Sequence, residues 1–392
     1  MRLNCYVVLI ILVLVTGWSN TIFAKEDPMK TPNPQDMTSA GIEITFPKDG
    51  DVLNHNDGGE TEAGLTITLT GMAPSAEAAS VNGETIACVD GTFSCPVTLT
   101  AKENSIHIQA GNASTVCRVF WKKNSRKVYR FSVDDNIQFL KDLGTAPELY
   151  PSLFDHWYLA FWREMHRAYG AKIHFNIYYQ TDGFDLTQMP DTWKEEWRDN
   201  ASWIRLSFHA LQDKPDRPYR NAPYTQIAHD HDLVCGHIRR FAGNEVMGTT
   251  TTVHWAECTK EGVYALRDRG IRNLIGLFNP LDVPHTTRYY LSPEQSAYCD
   301  SRPAWHDHET GITFVPCAIV VNSYKVPDIV PRLEQRASSP HTGELIELLI
   351  HEQYFRKELS YFQPDVMDKV RTALDWVVSR GYEPVFWSDE LF

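Results

Sequence analysis

At Lys127 the chain changes grammar, and that change restricts its fold more than any other feature. Before it, from Gly41, short alternating runs are separated by turn residues: IEITFP, LTITLTG, ASVNGETIACVDGTFSCPVTLT, SIHIQAG and STVCRVFW. Short strands at this spacing predict a small antiparallel sandwich. Asn82-Gly83 and Asp90-Gly91 are hairpin dipeptides within it. After Lys127, strands alternate with helical stretches, the mark of βα units. Expected strands are VYRFSV, AKIHFNIYY, SWIRLSFHA, GTTTTVHW, IRNLIGLF, ITFVPCAIVVN, ELIELLIH and EPVFW. Expected helices cover 151–169, 224–242, 260–269, 329–336 and 365–380.

The ends and the composition narrow the class. Arg2 precedes an apolar run from Cys5 to Trp18, then small and polar residues to Ala24. This pattern predicts a secretory signal peptide over 1–24, cut after Ala24, so the mature chain is expected to be secreted, periplasmic or at the cell surface. A polar, proline-bearing linker over 25–40 follows, then the sandwich over 41–122 and the second domain over 123–392. No later stretch is long and apolar enough to span a bilayer. A net charge of −13 argues against gripping nucleic acid or an anionic membrane through phosphates. Seven of the eight cysteines lie beyond the expected cut, so disulfides are permitted with at least one thiol left over. Cys88 and Cys95 flank the Asp90-Gly91 turn as one pair, with Cys117 a rival partner. No cysteine has the CxxC spacing of a zinc or redox motif.

Chemistry concentrates where the later strands end. VYRFSVDDN runs apolar and then stops at two adjacent carboxylates, Asp134 and Asp135. One carboxylate there can hold a metal while the other works as a base. Three further strands end at His209, His254 and His351. Parallel sheets present ligands at the carboxyl ends of their strands, so these four ends converge on one rim. Together they predict a metal-dependent hydrolytic site. By contrast, His229-Asp230-His231-Asp232 sits in a helical pattern, where consecutive residues fan around the axis, and reads as a solvated helix face.

SVDD, SFHxxxD, the late LLIH strand and the closing helix–GY–strand unit resemble the polysaccharide deacetylases, the NodB-homology carbohydrate esterases of the family 4 type. The resemblance runs from about Lys127 to Phe392. It implies an α/β fold, a distorted (β/α) barrel, that removes acetyl groups from a glycan with a divalent metal, zinc first among the candidates. Carried over, Asp134 is the base, Asp135 and His209 are metal ligands, and His351 is the general acid. The family's second motif histidine is here Asp213, which can still meet the same ion; otherwise Asp213 is a surface charge and His254 or another histidine fills the place. His254 stands where the family has an arginine that positions the base. His254, Trp255 and Trp387 are the expected substrate contacts, the two tryptophans as sugar platforms at strand ends. Glu352 either orients a ring or faces solvent, and a backbone N–H near the first motif is expected to face the oxyanion.

The first half resembles the immunoglobulin-like modules of secreted glycan-active enzymes, on Val81-Asn82-Gly83, Asp90-Gly91-Thr92-Phe93, Leu99 and the run from Asn104 to Ala110. Such a module would bind carbohydrate or serve as a spacer packed on the catalytic domain, and the stretch has no tryptophan cluster for a sugar platform. The expected partner is therefore an acetylated glycan. The altered second and third motifs leave an alternative, a catalytically altered glycan-binding protein on the same fold.

Overall fold

Alternation before Lys127 becomes two sheets sharing one apolar core, antiparallel throughout except where Val52–Leu53 pairs parallel to Ala113–Trp121. The computed structural model describes residues 41–278 and 288–391; the expected signal peptide and linker lie outside the described residues. In the first sheet, strand Gly64–Met72 pairs with Glu43–Phe46, Gly58–Thr61 and Thr92–Leu99. The second runs Val52–Leu53, Ala113–Trp121, Glu103–Ala110, Ala78–Val81 and Glu84–Ala87. Leu65, Ile67 and Leu69 from one sheet meet Ile106, Ile108 and Val119 from the other in the core between them. Both expected turns adopt positive φ, with Asn82 at 50° and Gly83 at 90°, and Asp90 at 49° and Gly91 at 72°. This is the backbone a two-residue hairpin loop requires. Cys88, Cys95 and Cys117 are all free, as are the four cysteines of the second half, so neither expected pairing forms.

The second half is a mixed α/β structure. Among the described residues its strands form two main sheets and a small two-stranded one, Gln180–Thr181 with Phe184–Asp185, rather than one continuous hydrogen-bonded ring. The larger runs Ile204–Ala210, Ile173–Tyr178, Val128–Asn136, Leu345–His351 and Ile319–Val320, with Glu383–Pro384 also paired to Val128–Asn136. These pairings are parallel. The smaller sheet runs Thr250–Thr251, Asn273–Gly276, Ile312–Pro316 and Trp305–Asp307. A parallel bridge from Leu206 to Met247 joins the two edges.

Period-two alternation assigns each side chain of the central strands to one of two environments. Tyr129, Phe131 and Val133, with Ile173, Phe175 and Ile177, belong to the main apolar core. Helix Trp157–Tyr169 packs there through Tyr158, Phe161, Trp162 and Met165, so those aromatics are core. Gly170, at φ 68°, closes that helix in the left-handed conformation. The intervening residues are polar. Arg130 and Ser132 both reach Glu347 Oε1, at 2.5 and 2.8 Å, and His174 Nε2 lies 2.6 Å from Ser207 Oγ. A buried polar layer therefore runs beneath the rim where the strands end.

This layer corrects one expectation. Trp387 is only 1% exposed, and its indole Nε1 donates to Glu347 Oε2 at 2.6 Å. The last strand stops at Pro384, and Trp387 opens a short helix, Trp387–Glu390, instead of reaching the rim. Because Glu347 pairs with Arg130 while His351 pairs with Asp134, the indole is bonded two pleat repeats below the strand ends. It has no face to offer a sugar. Trp193 and Trp197 are likewise buried in the core.

Among the described residues no helix is long and apolar enough to cross a membrane. The two halves belong to one compact unit, Ile42–Phe392.

Candidate metal centre

Two β-bulges and a strained turn place the site. Along the pairing of Val128–Asn136 with Ile173–Tyr178, Val133 faces Phe175 and Asn136 faces Ile177, so one extra residue is inserted between them. Asp135 sits there at φ 62°. A bulge breaks strict alternation, which is how two consecutive carboxylates come to line one cavity. On the neighbouring strand Ile177 pairs with Phe208 but Tyr178 with Ala210, leaving His209 as the extra residue. His254 begins a single turn, His254–Ala256, in which Trp255 and Ala256 both have positive φ, 67° and 46°. Backbone strain of this kind is tolerated where surrounding structure fixes it, commonly at functional sites.

These irregularities gather Asp135, His209 and His254 so that one ligating atom from each lies within 4.8 Å of the others. Asp135 Oδ1 is 3.0 Å from His209 Nε2 and 3.4 Å from His254 Nδ1, and the two ring nitrogens are 3.3 Å apart. All three residues are buried. A tetrahedral ion with ligands at about 2.0–2.2 Å has ligand–ligand edges of about 3.3–3.6 Å, so the spacing fits with little movement. The far side of each ring is also occupied as a metal site requires. His209 Nδ1 faces the Thr252 carbonyl at 2.5 Å, and His254 Nε2 faces the Asp213 carbonyl at 3.1 Å. Each bond places a proton on the outer nitrogen and frees the inner one to ligate.

Electrostatics point the same way. Burial raises the Asp135 carboxyl, but His351, His209 and His254 together hold it well below the usual carboxylate range. Burial would lower His209, yet Asp134 and Asp135 hold it above its usual value. The cluster thus attracts positive charge into a buried place. Tyr178 also reaches it, with its hydroxyl 2.5 Å from Asp135 Oδ1. Burial and that carboxylate keep the phenol protonated, well above the usual tyrosine range.

The expected base and acid stand beside the cluster. Asp134 and His351 are register partners on adjacent parallel strands. Asn176 Nδ2 donates to Asp134 Oδ1 at 2.6 Å, and Asn322 Oδ1 is 2.9 Å from His351 Nδ1. A cavity of about 380 Å³ is lined by Asp134, Asp135, His209, His254, His351 and Trp255, among others. It shares Asp135, Asp213, Lys214, Gln353 and Tyr361 with a broader cleft of about 860 Å³ that also carries Gln138, Gln180 and Gln212.

Asp213 is the expected ligand that the structure does not bring in. Its side chain is 52% exposed, and the nearest approach of its carboxylate to the cluster is 3.9 Å, to the outer nitrogen of His254. No helical turn follows His209, so the fourth residue on does not return to the same side. His254 takes the third place, the option left open for it, and so is a cluster member rather than only a substrate contact. Trp255 lines the cavity with Arg217 stacked over its ring, 5.3 Å from the centroid. Glu352 is buried, and its hydrogen bonds go to backbone rather than to a ring. Its carboxylate accepts from the N–H groups of Ile137, Gln138 and Phe139 at 2.8, 2.9 and 2.7 Å, the start of helix Gln138–Thr145. Those three N–H groups are therefore committed and do not face an oxyanion. Of the His229–Asp232 run, Asp230 and His231 are buried, not solvated, with Asp230 bonded to the Tyr219 hydroxyl at 3.0 Å.

Asn176, Tyr178 and Asn322 were not expected from the sequence. The first two carried a signal, since His174, Asn176 and Tyr178 are the polar alternates of an otherwise apolar strand. Asn322 gave none.

No protein-family model and no curated protein matches this chain. Similar solved structures include a 4-alpha-glucanotransferase from Thermococcus litoralis, with TM-score 0.44 and 11% identity over 68% of this chain and 40% of that one. They also include BA3943, a CE4 family pseudoenzyme from Bacillus anthracis, with TM-score 0.31 and 10% identity over 70% and 68%. Agd3, a carbohydrate deacetylase, has TM-score 0.37 and 9% identity over 86% of this chain and 66% of that one. Carbohydrate esterase family 4 proteins thus stand among the structural neighbours.

Proposed function

We propose that this chain is an exported, metal-dependent hydrolase that removes acetyl groups, N-acetyl foremost, from an acetylated glycan. The supporting observation is the set around one cavity: Asp135, His209 and His254 as ligands, with Asp134 and His351 level with each other on adjacent strands. A divalent ion held there, zinc by the nitrogen-rich donor set, would polarise the acetyl carbonyl and acidify water. Asp134, held by Asn176, would act as the base that takes a proton from attacking water. His351, held by Asn322 at Nδ1, presents Nε2 and protonates the departing sugar nitrogen or oxygen. Trp255 offers a ring at the cavity wall, and the glutamine-bearing cleft beside it offers amide partners for sugar hydroxyls. The first-half sandwich, immunoglobulin-like in this reading, serves as a packed spacer.

Acetate release from a panel of acetylated glycans tests this, using metal-stripped protein with and without Zn²⁺. Metal-dependent release that disappears in His351→Ala is the expected result. Tight glycan binding with no release and no bound metal would overturn it in favour of a binding protein on this fold, the reading that the replaced motif residues favour.

A further inference from the structure

Tyr178 occupies a corner of the cluster. Its hydroxyl oxygen lies 2.5 Å from Asp135 Oδ1 and 2.8 Å from His254 Nδ1. With the 3.0, 3.3 and 3.4 Å separations among Asp135, His209 and His254, five of the six edges of a four-cornered donor set are fixed. Each is at or below the edge of about 3.3–3.6 Å that a tetrahedral ion needs, so a small outward movement of the four atoms opens the place. The ring cannot readily swing away. It is 2% exposed, and the strand Ile173–Tyr178 fixes its direction, on the same side as Asn176 and His174.

We propose that Tyr178 is a fourth protein donor to the bound ion, its phenol oxygen joining Asp135, His209 and His254. This rests on the metal-site reading given above. The phenol proton, now directed at Asp135, leaves to solvent as the oxygen–metal bond forms, and the cation replaces the unfavourable field of the carboxylate with a favourable one. Two consequences follow. The donor set becomes two nitrogens and two oxygens, harder than the two-histidine, one-carboxylate set and more welcoming to iron or cobalt. The acetyl carbonyl or the water must then bind beyond these four, because four protein donors fill a tetrahedron.

Ferric ion is the sharpest probe, since a phenolate bound to it absorbs visible light and neither carboxylate nor imidazole does so. Metal-stripped wild-type protein, Tyr178→Phe and the neighbouring control Tyr179→Phe would be titrated with Fe³⁺ nitrilotriacetate, and separately with Co²⁺ to measure affinity. The expected result is a visible charge-transfer band in wild type and Tyr179→Phe that vanishes in Tyr178→Phe, with Co²⁺ affinity lowered roughly 10- to 100-fold in the latter. Stoichiometric Fe³⁺ binding by wild type without that band overturns the proposal while leaving the metal site standing. This arm needs no variant, so poor folding of Tyr178→Phe cannot mask it. Failure of wild type to bind either ion removes the metal site and this proposal with it.

Discussion

Replacing His254 by alanine, and separately Asp213 by alanine, distinguishes two ways of completing the cluster. His254 Nδ1 lies 3.4 Å from Asp135 Oδ1 and 3.3 Å from His209 Nε2, within the reach of one ion. The Asp213 carboxylate is 52% exposed and no nearer than 3.9 Å to the outer nitrogen of that ring. What Asp213 contributes is its backbone carbonyl, 3.1 Å from His254 Nε2, and alanine keeps a carbonyl. A structural zinc site binds with roughly 10–16 kcal/mol shared among its donors, so one imidazole is worth roughly 3–4 kcal/mol. His254→Ala should therefore weaken Zn²⁺ binding by roughly 10²–10³-fold. A half-exposed charge interaction is worth about 0–1 kcal/mol, so Asp213→Ala should change affinity by less than about tenfold. The assay is competition between metal-stripped protein and a chromogenic chelator of known affinity, after melting curves show both variants folded. The reverse order, with Asp213→Ala losing the ion and His254→Ala holding it, would refute the reasoning.

Asn176→Ala should leave Zn²⁺ affinity within a few-fold and lower kcat roughly 10- to 100-fold, because it removes the bond that positions Asp134; steady-state kinetics with a parallel metal titration checks both. Glu352→Ala strips the acceptor from three backbone N–H groups at the start of helix Gln138–Thr145 and should cost roughly 2–4 kcal/mol, read as a fall in denaturant midpoint. Burial pushes His231 down from 6.5 to about 4, so the folded state binds fewer protons than the unfolded chain across that interval. Stability present above pH 6.5 is accordingly lost as pH falls toward 4, by up to about 3 kcal/mol, and His231→Gln should flatten that slope in denaturant titrations.

Much of the site could be read from strand endings. Asp134-Asp135, His209 and His351 each close a strand whose apolar residues mark it as buried, and the structure puts all of them on one cavity. The support beneath was legible in a different way. In IHFNIY the apolar alternates join the core, and the polar ones, His174, Asn176 and Tyr178, all make bonds on the other face. Reading that strand with period two names two residues of the site. Trp387 misled because a strand that stops early and one that reaches the rim share the same local pattern. Only the pairing, which ends at Pro384, separates them.

The third residue of the cluster shows where sequence spacing stops being informative. A histidine followed four residues later by another donor suits one ion only if a helical turn joins them. After Ala210 this chain enters an irregular segment containing Pro215 and Pro218, and no such turn forms. The missing donor arrives from elsewhere, on a turn where Trp255 and Ala256 adopt positive φ. All three residues of the cluster sit at backbone irregularities: Asp135 and His209 in bulges, His254 on that turn. Regular strands would send alternate side chains to opposite faces, so Asp134 and Asp135 could not share a cavity without the extra residue. The cluster thus depends on departures from periodicity, and period-two patterning marks the strands that carry its residues more surely than the residues themselves. Asp213 and His254 have in effect divided one role, the first giving a carbonyl that holds the ring and the second giving the nitrogen. Asp213 standing where the resemblance implies a histidine therefore does not by itself disperse the cluster, because the turn after strand Thr250–Thr251 delivers an imidazole nitrogen to the same place.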